Sequence, residues 1–124
     1  MKTIDKAFLC LKIIKERKAI DPILAQVDKL TSITDYFLIT SGNSSRQVQA
    51  IARHLSKRMR EEGFKAYGVE GEQEGQWILM DYGDVVIHIF YQPVREFYDL
   101  EGLWIEAPRI DPGDDKPLSQ INTG

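Results

Sequence analysis

The segment Asp81-Tyr82-Gly83-Asp84 followed by Val85-Val86-Ile87-His88-Ile89-Phe90 joins a tight polar turn to a strongly apolar run, with Trp77-Ile78-Leu79-Met80 just upstream. Glycine supplies the free φ that a short hairpin turn demands, and aspartate suits the neighbouring position. Valine, isoleucine and phenylalanine pack well on a pleated surface. Residues 77–90 are therefore predicted to form a hairpin that is both a core element and a possible presentation surface. His88 interrupts the run on the face shared by Val86 and Phe90. A polar group there must be hydrogen-bonded, lie at an edge or meet a partner.

The rest of the chain supplies covering elements. Ile4, Ala7, Phe8, Leu11 and Ile14 predict an amphipathic helix over residues 3–18, ended at Asp21-Pro22. Short strands are expected at 23–27, 36–40 and 64–69. Between the last two, Ser44 and Gln47 have capping-box spacing. Val48, Ile51, Ala52, Leu55 and Met59 then form one helical stripe, with Arg46, Arg53, Lys57 and Arg60 opposite. Gly63 is placed to end that helix. Gly71–Gly75 reads as an acidic loop. Pro93 opens a short helix through Leu100, followed by Trp104. The fold class expected is α/β: one domain, a mixed sheet of about five strands with helices packed on it. Residues 1–107 form the domain, and 108–124, acidic and proline-bearing, read as a disordered tail.

The 124 residues suffice for one core, and no apolar run approaches the roughly 20 residues that cross a bilayer. No signal peptide is expected. Cys10 is alone, so it reads as a small buried hydrophobe, with a reducing, cytoplasmic setting as a corollary. The net charge of −3 conceals a division. Residues 1–65 hold 13 Lys/Arg against 7 Asp/Glu, and residues 66–124 hold 3 against 12. A uniform nucleic-acid binder is not expected to divide its charge this way, whereas an acidic surface can steer a basic partner.

Chemistry finds no clear seat. Ser41-Gly42-Asn43-Ser44-Ser45 lies between a strand and a helix but lacks the lysine and spacing of a P-loop. A helix-capping turn is the favoured reading over an anion site. A nucleotidyltransferase site would also need paired carboxylates for Mg²⁺, and none lies between Ser41 and Glu61. Asp81 and Asp84 flank a turn and make poor metal partners. His54 and His88 with one cysteine form no recognisable zinc site. Packing is the better reading for His54, and a hydrogen-bonded sheet position is favoured over a contact role for His88. No cofactor, metal or catalytic residue is predicted. For Arg46, Arg53, Lys57 and Arg60 a solvated helix face is favoured over RNA contact, because no exposed aromatics are interleaved. Trp77, Tyr82, Phe90, Tyr91, Phe97, Tyr98 and Trp104 crowd into under thirty residues. One sheet face cannot easily bury them all, and surplus rings beside acidic residues suit a protein-binding patch.

Several blocks resemble the ribosomal silencing (Iojap-like) family over roughly residues 3–107. They are Asp35-Tyr36-Phe37-Leu38-Ile39-Thr40-Ser41-Gly42, Ser45-Arg46-Gln47-Val48-Gln49-Ala50-Ile51-Ala52, Glu70-Gly71, Trp77, and Asp81 to Phe90. Arg95-Glu96-Phe97-Tyr98 and Leu100-Glu101-Gly102-Leu103-Trp104 complete the set. The resemblance implies a nucleotidyltransferase-like fold without the enzymatic carboxylates. It also implies a non-enzymatic repressor bound to the large ribosomal subunit through ribosomal protein number fourteen, blocking the small subunit when nutrients are scarce. Organellar relatives act in ribosome assembly. The partner surface expected from the residues comprises Trp77, Asp81, Tyr82, Asp84, His88, Phe90, Tyr98, Glu101 and Trp104. An rRNA contact and a homodimer are further expectations.

Overall fold

The turn expected at Gly83 is present. Tyr82 donates its N–H to the Val85 carbonyl at 2.9 Å. Gly83 has φ +87° while Asp84 keeps a negative φ, the pattern of a type II′ turn. It joins β4 (Trp77–Asp81) to β5 (Val85–Tyr91), with Met80 opposite Ile87 and Trp77 opposite Phe90. The computed structural model describes residues 2–110. Together with β1 (Ile20–Gln26), β2 (Tyr36–Gly42) and β3 (Gly68–Glu70), the hairpin forms a five-stranded sheet ordered β1-β2-β5-β4-β3. β2 and β5 run parallel and the other pairs antiparallel.

Two helices cover one face. α1 (Thr3–Lys15) buries Ala7, Cys10, Leu11, Ile13 and Ile14, and α2 (Ser45–Glu61) buries the predicted stripe of Val48, Ile51, Ala52, Leu55 and Met59. These meet Leu38, Ile78, Met80, Val85, Ile87 and Ile89 from the strands. Each buried leucine or isoleucine contributes roughly 1.5–3 kcal/mol. Ser44 caps α2 by accepting the Gln47 N–H at 3.1 Å, while Gln47 Oε1 accepts the N–H of Asn43 at 2.6 Å. The capping box is thus shifted by one residue on its return arm. Cys10 behaves as the expected hydrophobe: its Sγ lies 3.8 Å from Met59 Sδ, and burial pushes its pKa up to about 12.

The second face is covered only in part, by α3 (Gln92–Tyr98) and α4 (Leu100–Leu103), which bring Val94, Leu100 and Trp104 against Phe37, Ile39, Val86 and Phe90. Several boundaries differ from the sequence reading: α1 stops at Lys15 and turns through Lys18, β2 runs on to Gly42, and three further differences have a clear structural reason. β1 starts at Ile20, upstream of Asp21-Pro22, because Asp21 takes φ +44° and the register with β2 shifts between Ile20 and Ile23. The strand expected at 64–69 is only Gly68–Glu70, since Phe64 and Ala66 pack against the helical layer instead of joining the ladder. Pro108–Ile110 is no tail: the Pro108 carbonyl accepts the Gln26 N–H and Ile110 donates to Leu24, each at 2.8 Å. The remainder of the expected tail lies outside the described residues.

Candidate functional site

Strand alternation sets the second face. Along β5 it carries Val86, His88 and Phe90, along β4 Trp77, Leu79 and Asp81, and along β2 Phe37 and Ile39. The rings form a connected cluster. Trp77 lies 4.8 Å from Phe90, 5.2 Å from Tyr98 and 5.9 Å from His88 between centroids. Phe37 meets His88 at 5.2 Å and Trp104 at 5.1 Å, both edge to face. These separations fall in the range where ring pairs attract beyond simple area burial. The cluster reaches the surface at Tyr98, which is 55% exposed, and continues to Phe97, 81% exposed and 5.1 Å from Tyr98. Leu103 and Ile105, flanking Trp104 in the chain, are also exposed. Trp77, Leu79 and Trp104 are only partly buried.

His88 sits at the centre, 6% exposed. The Trp77 indole N–H donates to its Nδ1 at 3.1 Å. Burial pulls the His88 pKa down to about 4, so the ring is neutral near pH 7. Its Nε2 has no hydrogen-bond partner among the described residues. The favoured sequence reading, a hydrogen-bonded sheet position, holds at one nitrogen.

Of the nine residues expected to face a partner, the fold gathers Trp77, His88, Phe90, Tyr98 and Trp104. His88 and Phe90 lie under the others and form the floor of the cluster, not its surface. Tyr82 is corrected outright. It follows Asp81 on the strand, so its side chain turns to the opposite face, where it is 2% exposed among the α1–α2 core. Its hydroxyl has no partner among the described residues, and burial raises its pKa to about 12. Asp84 is also spoken for: Lys6 Nζ reaches it at 2.8 Å and Thr3 Oγ1 at 3.1 Å, tying α1 to the turn. Burial alone would raise its carboxyl, but those two hydrogen bonds outweigh it and hold the pKa below the usual range. Asp81 accepts the Gly83 N–H at 2.7 Å and shapes the turn. Glu101 pairs with Arg95 through Nε at 3.1 Å and Nη2 at 3.3 Å.

That Arg95 is 5% exposed and missed by the sequence reading. Its fork also donates to the carbonyls of Ile20 and Asp21 and to Ser41 Oγ, fastening α3 and α4 to the ends of β1 and β2. Beside it opens an acidic cleft of 510 Å³ lined by Asp21, Ile23, Gln92, Arg95, Glu96, Asp99 and Glu101. Phe37 was missed as well, although its alternation with Ile39 places it beside His88.

The aromatic cluster is set in negative charge. Residues 68–107 hold nine Asp/Glu and one Lys/Arg, the buried Arg95. Glu70 stands opposite Leu79 in register and on the same face. Arg46, Arg53, Lys57 and Arg60 are exposed on α2, on the other side of the sheet. His54, read as a packing residue, keeps only 15% of its side chain exposed, and its Nε2 also lies 2.8 Å from Glu16 Oε1, across to the end of α1.

The sequence matches the family described as "Ribosomal silencing factor during starvation" over residues 1–123. It is 42% identical over 96 residues to the ribosomal silencing factor of Bacillus subtilis, covering 77% of this chain and 81% of that protein. A crystal structure of a Chromobacterium violaceum protein superposes with a TM-score of 0.82 at 36% identity, covering 84% of this chain and 87% of the other. A mouse protein named for mitochondrial assembly of the ribosomal large subunit is 31% identical over 99 residues, 77% of this chain but 43% of its own length. With a family match spanning nearly the whole sequence and relatives sharing both identity and fold, the chain belongs to the ribosomal silencing factor family.

Proposed function

We propose that this protein represses translation by seating the second face of its sheet, with α3 and α4, on ribosomal protein number fourteen of the large subunit. There it excludes the small subunit by bulk alone. The observation that carries the reading is the aromatic cluster of Trp77, Tyr98 and Trp104, half-covered and continuous with exposed Phe97. Aromatic anchors of this kind supply most of the free energy of a protein interface. The surrounding carboxylates complement a basic ribosomal protein and speed encounter more than they deepen affinity. Repression of this type needs no bond made or broken. In keeping with that, Asp81 and Asp84 are engaged by Gly83, Lys6 and Thr3. The site of action is the compartment where ribosomes translate, the cytoplasm. Self-association into a homodimer through the same rings would compete with the ribosome for them.

A role in assembly of the large subunit is the second reading, favoured by the name of the mouse relative. Sedimentation with purified subunits tests the first. The protein is expected to travel with large subunits and not small ones, and to deplete whole ribosomes when both are present. If subunits join undiminished with the protein bound, the blocking reading is wrong and assembly takes its place.

A further inference from the structure

The opposite side of the molecule carries the reverse charge. Residues 2–18 and 45–61, which hold α1, its C-terminal turn and α2, contain eleven Lys/Arg against three Asp/Glu. Two of those acids are already used. Glu16 is bound by both His54 and Arg58, and Glu61 lies 3.5 Å from Arg58. One arginine thus takes up most of the local negative charge. Among the described residues Arg17, Arg46, Arg53, Lys57 and Arg60 have no carboxylate partner within salt-bridge distance. Arg17, Arg53 and Lys57 line a 410 Å³ groove between the end of α1 and α2, together with Ala50, His54 and the paired Arg58 and Glu61.

We infer that this groove and the flanking α2 ridge bind the phosphate backbone of double-helical RNA. The charge calls for a polyanion, and the company of the charges decides which. None of the exposed large apolar side chains among the described residues lies on α1 or α2. Stacking on unpaired bases needs exposed rings, and insertion at a lipid surface needs an outward apolar face. What remains is contact with the shape and phosphates of a duplex, indifferent to its sequence. The groove lies across the sheet from the aromatic cluster, so the inference does not depend on the partner proposed for that cluster. Both faces can be occupied at once.

The test is fluorescence anisotropy of the full chain with two short RNA duplexes of unrelated sequence. Wild type is expected to bind both alike, with affinity falling steeply as salt rises from about 50 to 200 mM. The double substitution Arg53→Ala and Lys57→Ala should weaken binding about tenfold at low salt and lower the salt slope by about 2. Both residues are exposed on a helix that alanine favours, so folding is spared. Tyr98→Ala should leave duplex affinity unchanged. The inference is overturned if wild type ignores both duplexes at about 50 mM salt. It is equally overturned if the double variant binds like wild type, or if only phosphatidylserine vesicles capture the protein.

Discussion

The indole N–H of Trp77 donates to Nδ1 of His88 at 3.1 Å, and this bond fixes the tautomer of a histidine that the fold keeps neutral. Nδ1 must offer its lone pair, so the proton sits on Nε2, where the described residues provide no acceptor. A second proton would strand a charge among Phe37, Trp77 and Phe90. The folded pKa of about 4 lies below the unfolded value of 6.5. The unfolded chain therefore binds the proton first, and stability present above pH 6.5 is lost as pH falls towards 4. The loss should reach about 2 kcal/mol by roughly pH 5 and about 3 kcal/mol at pH 4. The Glu16 and Asp84 carboxyls, held below their ordinary values of 4.5 and 3.8, lose their contributions as pH falls from those values, overlapping the lower end of the His88 window. Urea unfolding of wild type and His88→Leu at a series of pH values checks this, and a parallel decline in both would sink it.

Tyr98 and Tyr82 should respond oppositely to substitution. Tyr98→Ala removes an exposed ring tilted against Trp77 and is expected to weaken large-subunit binding by about 2 kcal/mol with little effect on folding. Tyr82→Phe deletes a buried hydroxyl that has no partner among the described residues, so it should be neutral or stabilising by up to about 1 kcal/mol and leave binding untouched. Equilibrium binding and thermal melts separate the two. Weakened binding in Tyr82→Phe would contradict its burial on the helical side.

Those two tyrosines also show what was legible in the sequence. Period and turn chemistry fixed the hairpin, the α2 stripe and the class of fold, because these are local properties. The site was half legible: clustering in sequence pointed to Trp77, Tyr98 and Trp104, but Asp81 and Tyr82 were assigned to one surface although neighbours on a strand point apart. Asp84 and Glu101 read as free charges because their partners, Lys6 and Arg95, are found only after the chain has folded. β1 was truncated for a related reason. Asp21-Pro22 is a breaker by local rules, and only pairing with β2 makes the φ of +44° tolerable.

Glu101 should matter to stability, not to contact. Among the described residues its carboxylate is the only acidic partner within reach of Arg95, whose other donors are taken by the Ile20 and Asp21 carbonyls and Ser41. Glu101→Ala leaves a buried guanidinium without its counter-charge, a loss expected to cost about 3 kcal/mol. Because the Glu101–Arg95 pair also ties α4, which leads directly into Trp104, to α3, binding should fall in step with stability and recover at low temperature. Denaturant melts alongside subunit binding at two temperatures check the coupling, and binding lost without destabilisation would return Glu101 to the interface.

Gly71 governs where Trp77 stands. It has φ +84°, and a Cβ built on it would lie 2.1 Å from the Trp77 carbonyl oxygen. Backbone cannot yield as a flexible side-chain tip can, so Gly71→Ala must displace the start of β4 and with it the indole that holds His88. Gly63 is the internal control: φ is +90°, but none of the described residues lies within 4 Å of the added methyl group. Gly63→Ala should therefore cost only the left-handed penalty, about 1 kcal/mol. Gly71→Ala should exceed it by at least about 2 kcal/mol and change the tryptophan emission, because overpacking against main chain adds to the conformational strain. Equal losses in the two variants, measured by urea unfolding followed at the tryptophans, would mean that the β3–β4 connection gives way without moving Trp77.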